Sequence, residues 1–192
     1  MLCKHSFDQY ISRSGNAGRK LATLGPSGTS SYAAARHFAQ DYPAKIALFP
    51  TYEEAAHAVR AAPEESALIV ANAYANINRF YISDVLHPIG AFFKDTPAYV
   101  VAARNETALD GRGITIASHA APLHLIAHLA ARPNVTIRDA SSTHHAAELV
   151  VEDKAQACLT TQVAADLLGL RTLDVALLTI PMLWTIFACK DS

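Results

Sequence analysis

Short apolar runs alternate along the chain with stretches in which small and apolar residues recur at helical spacing. Runs at 21–24, 46–49, 67–71, 89–93 and 98–104 predict strands. Between them, Ser31 to Gln40 is Ala-rich and closes before Pro43. Tyr52 to Ala62 follows Thr51, a hydroxyl N-cap with Glu54 three residues on as its capping-box partner. Residues 72–81 are polar and aromatic and read as a loop. The pattern then restarts. Strands at 113–117, 135–139 and 157–160 alternate with helices at 122–132, 144–151 and 163–168, the last stopped by Gly169 as a C′ glycine. Two tail strands are predicted near 175–178 and 184–189.

Strands that alternate with helices predict an α/β chain with parallel sheets flanked by helices. The restart near residue 105 divides it into two α/β lobes with a cleft between them. The expected organisation is a polar N-terminal extension over 1–19 and a main domain over 20–192. One lobe of that domain takes about 20–97 plus 175–192, and the other about 98–174. An apolar content of 51% in 192 residues suffices for a packed core. Sixteen basic against 17 acidic residues leave no electrostatic footprint for nucleic acid and no polybasic patch for a membrane surface. No apolar run reaches the ~18–20 residues of a membrane span, and residues 1–19 lack the apolar core of a secretory signal. Cys3, Cys158 and Cys189 are far apart, odd in number and form no CxxC pair, so they read as reduced thiols of a cytoplasmic protein.

Candidate chemistry sits where strands turn into helices. Leu24-Gly25-Pro26-Ser27-Gly28-Thr29-Ser30-Ser31-Tyr32 places glycines and three hydroxyls beside unsatisfied helix N–H groups. By itself this stretch also fits a plain capped turn. The construction recurs at Ser118-His119, at Ser141-Ser142-Thr143 and at Thr160-Thr161. Four such turns at the carboxyl ends of strands would converge on one crevice. Each helix N-terminus favours negative charge by roughly 0.3–1 kcal/mol, which points to a small carboxylate or dicarboxylate as ligand. Phosphate fits less well, because no Gly-x-x-x-x-Gly-Lys loop is present.

His124 and His128 are spaced i,i+4 without HExxH or a nearby carboxylate, so they read as a solvated face and no metal site is expected. His144 and His145 read as surface residues of a first helical turn, with a proton donor as the alternative. His119, in a loop directly after a strand, is the better titrating candidate. Asn72, Tyr74, Asn76, Asn78, Arg79 and Tyr81 follow the third strand and either line the same crevice or form an ordinary loop. Met182 and Trp184 pack the core or wall an apolar pocket. Lys94 and Arg104 are the nearest cations for pairing a carboxylate, solvated roles fitting equally well.

The ordered set of these segments resembles the prephenate dehydratase superfamily. Residues 24–34 resemble its opening Gly-Pro-Glu-Gly-Thr motif. Ser118-His119, Ser141-Ser142-Thr143 with Ala146-Ala147, and Thr161 through Gly169-Leu170 follow in the family's order, from about Leu21 to Lys190. Within it, Gly28-Thr29-Ser30-Ser31, Ala73-Tyr74, Arg79-Phe80-Tyr81, Asp95-Thr96-Pro97 with Tyr99, and Ile180-Pro181-Met182 with Trp184 resemble the prephenate decarboxylase branch of bacilysin biosynthesis. Dehydratase-like proteins of tropone antibiotic pathways are a further similar group. The resemblance implies a type 2 periplasmic-binding-protein-like fold, as in the prephenate dehydratase catalytic domain. It also implies a homodimer; with the sequence ending at Ser192, no aromatic-amino-acid regulatory domain is expected to follow.

Two departures shape the expected chemistry. Dehydratases carry a Thr-Arg-Phe motif whose Thr helps hydroxide leave; here the segment is Thr185-Ile186-Phe187. An apolar Ile186 cannot clamp a carboxylate. The decarboxylase branch also lacks that arginine, but it has a Pro-His pair where this chain has Ala71-Asn72. The resemblance therefore implies a cofactor-free lyase of antibiotic biosynthesis that decarboxylates prephenate, or a related non-aromatic ring carboxylate, without aromatising it. Thr185, His119 and Tyr74 are the candidate catalytic groups. Thr29, Ser30, Asn72, Ser118, Ser141, Ser142, Thr143 and Thr161 are the candidate substrate-binding groups. Dehydration with Thr185 as acid is the alternative reaction, and a non-catalytic module binding a small anion is the alternative class.

Overall fold

The computed structural model describes residues 19–190. Cys3 and, apart from Arg19, the expected N-terminal extension lie outside the described residues. In chain order the first elements are β1 (Lys20–Leu24), α1 (Ser30–Asp41), β2 (Lys45–Phe49), α2 (Tyr52–Ala61), β3 (Ser66–Ala71), α3 (Asn78–Tyr81) and β4 (Leu86–Phe93). Next come β5 (Tyr99–Ala103), β6 (Ile114–Ser118), a 3-10 turn (Leu123–Ile126), α4 (Ala127–Ala130) and β7 (Val135–Asp139). The chain continues through α5 (Thr143–Val151), β8 (Ala157–Thr161), α6 (Gln162–Leu167), β9 (Arg171–Leu177) and β10 (Leu183–Cys189). It divides into two compact units, one of residues up to Thr96 together with those from Pro181, the other Pro97–Ile180.

The first unit holds the sheet β2-β1-β3-β10-β4. Here β1 runs parallel to β2 and β3, while β10 lies antiparallel between β3 and β4. Alternate residues of β1 and β3 feed opposite faces. Leu21 and Ile69 join Ala34, Ala35 and Phe38 of α1, whereas Ala22, Leu68 and Val70 join Tyr52, Ala55 and Val59 of α2. With both faces covered, β3 reads as a continuous apolar run.

The second unit holds β7-β6-β8-β5-β9. Here β6 runs parallel to β7 and β8, and β5 lies antiparallel between β8 and β9. One face packs Ala146, Ala147, Leu149 and Val150 of α5; the other packs Ile126 and Leu129. Both sheets are thus mixed, which corrects the expectation of parallel sheets. Local β-α-β connections do make parallel pairs, but β5 and β10 enter from outside those connections and run the other way.

Local signals hold at several boundaries. Thr51 accepts from the Glu54 backbone N–H at 3.1 Å, and its hydroxyl donates to Glu54 Oε1 at 3.2 Å. Gly169 has φ 66°, with Leu170 N–H bonded to Ala165 O at 2.9 Å and Gly169 N–H to Asp166 O at 3.3 Å, the Schellman pattern. The helix expected over 122–132 is instead a 3-10 turn followed by a single α turn. Its core-facing residues Leu123, Ile126 and Leu129 recur every third position, the 3-10 period. The expected loop over 72–81 ends in α3.

Ile186 is 0% exposed and packs beneath α1 with Leu21, Ile69 and Trp184. This position belongs to the core and presents nothing to a ligand. Ile186→Arg would bury an unpaired cation there. It is expected to abolish cooperative unfolding in thermal melts, whereas Ile186→Val should cost about 0.5–1.5 kcal/mol.

Candidate active site

At the carboxyl end of β3 in the first unit, main-chain pairing continues one residue past the strand, with Asn72 N–H donating to Leu183 O at 2.9 Å. Thr185 pairs with Val70 across the β3–β10 ladder. Asn72, two residues beyond Val70, therefore returns to the same face as Thr185. Thr185 Oγ1 donates to Asn72 Oδ1 at 2.7 Å and shares a 2.8 Å bond with the Tyr81 hydroxyl. Asn72 Nδ2 donates to that hydroxyl at 3.4 Å. Tyr81 stands edge-on to Phe187, ring centroids 5.0 Å apart. Thr185 itself is only 2% exposed, whereas Tyr81 is 41% exposed.

Beside this cluster, Tyr74 donates to the Glu53 carboxylate at 2.9 and 3.1 Å, and Arg79 Nη1 reaches the same group at 3.1 Å. Burial raises the Glu53 pKa, but hydrogen bonds from Tyr74, its own backbone and Arg79 outweigh it and leave a net lowering. Tyr74 is raised, first by burial and also by the Glu53 charge. Its phenolic proton is engaged by Glu53 in this state. Tyr52 OH bonds Ser31 Oγ at 2.6 Å and accepts from Ala71 N–H at 3.4 Å, and burial pushes its pKa up to about 12.

The hydroxyl turn before α1 is internally occupied. Thr29 Oγ1 accepts from Tyr32 N–H and donates toward Leu24 O and Pro26 O. A Cβ on Gly25 would meet Leu48 Cβ at 2.9 Å, and Gly28 has φ 98°. Both glycines are thus required by the turn itself. Among the described residues nothing engages the Ser30 side chain. Trp184 donates Nε1–H to Lys94 O at 2.9 Å and is buried in the core, with Met182 packed partly against it.

In the second unit, Ser118 is buried and donates to His119 O at 2.8 Å. His119 Nδ1 accepts from Ala121 N–H at 3.2 Å, which leaves the proton of the neutral ring on Nε2. Partial burial lowers its pKa. Ser142 caps α5 by accepting from His145 N–H at 3.0 Å, and Thr161 caps α6 by accepting from Ala164 N–H at 3.2 Å. Ser141 N–H and Oγ both meet His145 Nδ1, at 3.1 and 2.9 Å. The Thr143 hydroxyl is engaged by no described residue, although its carbonyl accepts from Thr160.

His144, expected at the surface, is buried, with Nε2 3.5 Å from Glu148 Oε1. Arg104, considered as a partner for a ligand carboxylate, bonds Val150 O and Val151 O at the end of α5. Cations there complement the free carbonyls of a helix C-terminus, so its role is a cap.

Within the first unit the structure brings Asn72 and Thr185 together with Tyr81, for which the sequence left crevice and ordinary loop both open and assigned no role, and it adds Glu53, which the sequence did not single out. Tyr81 was within the quoted Arg79-Phe80-Tyr81 segment; no spacing rule links it to a strand some hundred residues on. Glu53 gave only the signal of an acidic first helical turn.

A family model described as prephenate dehydratase matches residues 21–189. A curated prephenate decarboxylase of Bacillus subtilis (strain 168) is 34% identical over 180 residues, 88% of this chain and 86% of that protein. One from Planktothrix agardhii (strain NIVA-CYA 126/8) is 29% identical over 185 residues, 90% of this chain and 89% of that protein. Among solved structures, the prephenate dehydratase of Arthrobacter aurescens in complex with L-Phe superposes with TM-score 0.72 at 20% identity, covering 90% of this chain. This chain spans 61% of that dehydratase. The Bordetella pertussis BvgS periplasmic VFT2 domain superposes with TM-score 0.53 at 14% identity, covering 98% of this chain and 86% of that one. At these identities the structural likeness is one of fold, the α/β class of prephenate dehydratases and periplasmic-binding-protein-like domains.

Among the described carboxylates, Glu53 has a lowered pKa, so its stabilising contribution is full above its ordinary value of 4.5 and is lost as pH falls through the lower folded value. Melting temperature should therefore fall more steeply below that pH in the wild type than in Glu53→Gln, as followed by circular dichroism across an acid series.

Proposed function

The chain belongs to the prephenate dehydratase family, and from that premise we propose that it is a carbon–carbon lyase that decarboxylates prephenate without aromatising the ring. The observation that carries this reading is the likeness, over most of both chains, to curated proteins named prephenate decarboxylase. The geometry of Thr185 supports it. The hydroxyl of Thr185, the acid that dehydration would use, is buried and bonded on both sides.

The substrate is a small dicarboxylate, prephenate or a ring acid of its kind. In the first unit Ser30, and in the second Thr143, offer hydroxyls at helix starts that no described residue engages. The proton that replaces CO2 on carbon comes from His119, whose neutral ring carries it on Nε2. Tyr74 is the weaker donor, because Glu53 holds its proton. The reading extends to a cytoplasmic homodimer acting in antibiotic biosynthesis.

Dehydration is the second reading, favoured by the retention of Thr185 within the family's terminal segment. Incubation with prephenate separates the two. A non-aromatic dihydro-hydroxyphenylpyruvate in the mass spectrum is expected. Phenylpyruvate absorbance in alkali as the main signal would establish dehydration instead. Saturable binding without turnover would make the protein an anion-binding module.

The binding roles are tested by hydroxyl removal. Ser30→Ala and Thr143→Ala should raise KM with little change in melting temperature. Thr29→Ala and Ser142→Ala remove caps worth about 1 kcal/mol and should lower the melting temperature by roughly 2–4 °C.

A further inference from the structure

The geometry points to Asn72 and Tyr81 as positioning residues that withhold the Thr185 proton from the substrate and so select the non-aromatic product. This inference rests on the decarboxylase reading. The three side chains close a ring of hydrogen bonds that all run in one sense. Asn72 Nδ2 donates to Tyr81 OH at 3.4 Å, Tyr81 OH donates to Thr185 Oγ1 at 2.8 Å, and Thr185 Oγ1 donates to Asn72 Oδ1 at 2.7 Å. The Tyr81–Thr185 bond alone could run either way. The Thr185 bond to Asn72 uses the threonine proton and fixes its sense. Turning the carboxamide over reverses the whole ring but still leaves the threonine proton inside it.

The ring also controls access. Thr185 is 2% exposed, while Tyr81 is 41% exposed and Asn72 half-buried, so the latter two form the outer surface of the cluster. Two further contacts hold them. Tyr81 rests against Phe187, and Asn72 is tied to β10 through its backbone N–H. A buried hydroxyl with its proton donated to a rigid carboxamide gives that proton up only by leaving an unpaired acceptor behind.

The choice of product turns on where one proton goes. In both reactions the bond between the ring carbon and its carboxylate breaks, CO2 leaves, and one proton is consumed. In decarboxylation the released electron pair ends in a new C–H bond and the ring hydroxyl stays. In dehydration the pair expels that hydroxyl, which takes the proton and leaves as water, giving phenylpyruvate. A threonine that cannot donate to the ring oxygen closes the second route without affecting the first.

The test is the ratio of phenylpyruvate to dihydro-hydroxyphenylpyruvate formed from prephenate, with an enzyme-free control subtracted. Asn72→Ala frees the Thr185 proton and should raise the ratio about tenfold or more, equivalent to about 1.4 kcal/mol between the two barriers. Tyr81→Phe, which keeps the ring's packing and removes both hydrogen bonds of the hydroxyl but leaves the Thr185–Asn72 bond, should raise it by less. Adding Thr185→Val to Asn72→Ala should return the ratio to the wild-type value, a reversal that a merely structural role of Asn72 would not produce. A wild-type ratio that stays unchanged in both single variants, or a raised ratio that survives loss of Thr185, overturns the inference while leaving the decarboxylase intact. Phenylpyruvate as the main wild-type product, or no turnover, overturns the decarboxylase reading and the inference with it. Should Asn72→Ala fail to fold by circular dichroism, Tyr81→Phe and Tyr81→Phe with Thr185→Val carry the same test.

Discussion

The site in the first unit depends on one ladder of backbone hydrogen bonds, that between β3 and β10. Its register sets Thr185 against Val70 and lets Asn72 extend the pairing by one more bond to Leu183. Because strand side chains alternate faces, that register puts the Thr185 hydroxyl and the Asn72 carboxamide on one side and sends Ile186 to the other. A slip of one residue would exchange them, placing a hydroxyl under α1 and an isoleucine at the end of β3. Burial of Trp184 and Ile186 among Leu21, Ala34, Phe38 and Ile69 makes such a slip costly. The apolar face of β10 thereby specifies the position of its polar one.

The hydroxyls at the strand-to-helix turns divide into those the fold uses and those it leaves available. Thr29, Thr51, Ser142 and Thr161 each accept a backbone N–H three residues on. Those oxygens are part of the helices. A run such as Thr29-Ser30-Ser31 thus contains three roles: a cap, a hydroxyl with no described partner, and a hydroxyl spent on Tyr52. Residue type and spacing are the same for all three roles; only the directions of the side chains separate them.

Proton ownership separates the candidate donors in the same way. Tyr74 gives its proton to Glu53, Thr185 gives its own to Asn72, and Tyr52 is held far from ionisation by burial. His119 differs, because a backbone N–H occupies one ring nitrogen and leaves the other carrying the proton. The proposed decarboxylation, which delivers one proton to carbon and none to oxygen, would draw on such an inequality among the candidate donors.

What the sequence determined by itself was whatever depends on neighbours along the chain. The strand runs at β1, β2, β3 and β8, the Thr51 cap and the Gly169 stop were legible because a period, a hydroxyl or a glycine states each one locally. The order of several such segments was legible as a family. Tertiary structure decided what depends on partners far apart. It inserted β5 and β10 antiparallel into sheets that local alternation describes as parallel. It buried His144, turned Arg104 into a helix cap, and joined Tyr81 and Asn72 to a threonine more than a hundred residues later. Periodicity and capping act within a turn or two of the chain, whereas a hydrogen-bonded ring requires three side-chain directions that only the packed sheet supplies.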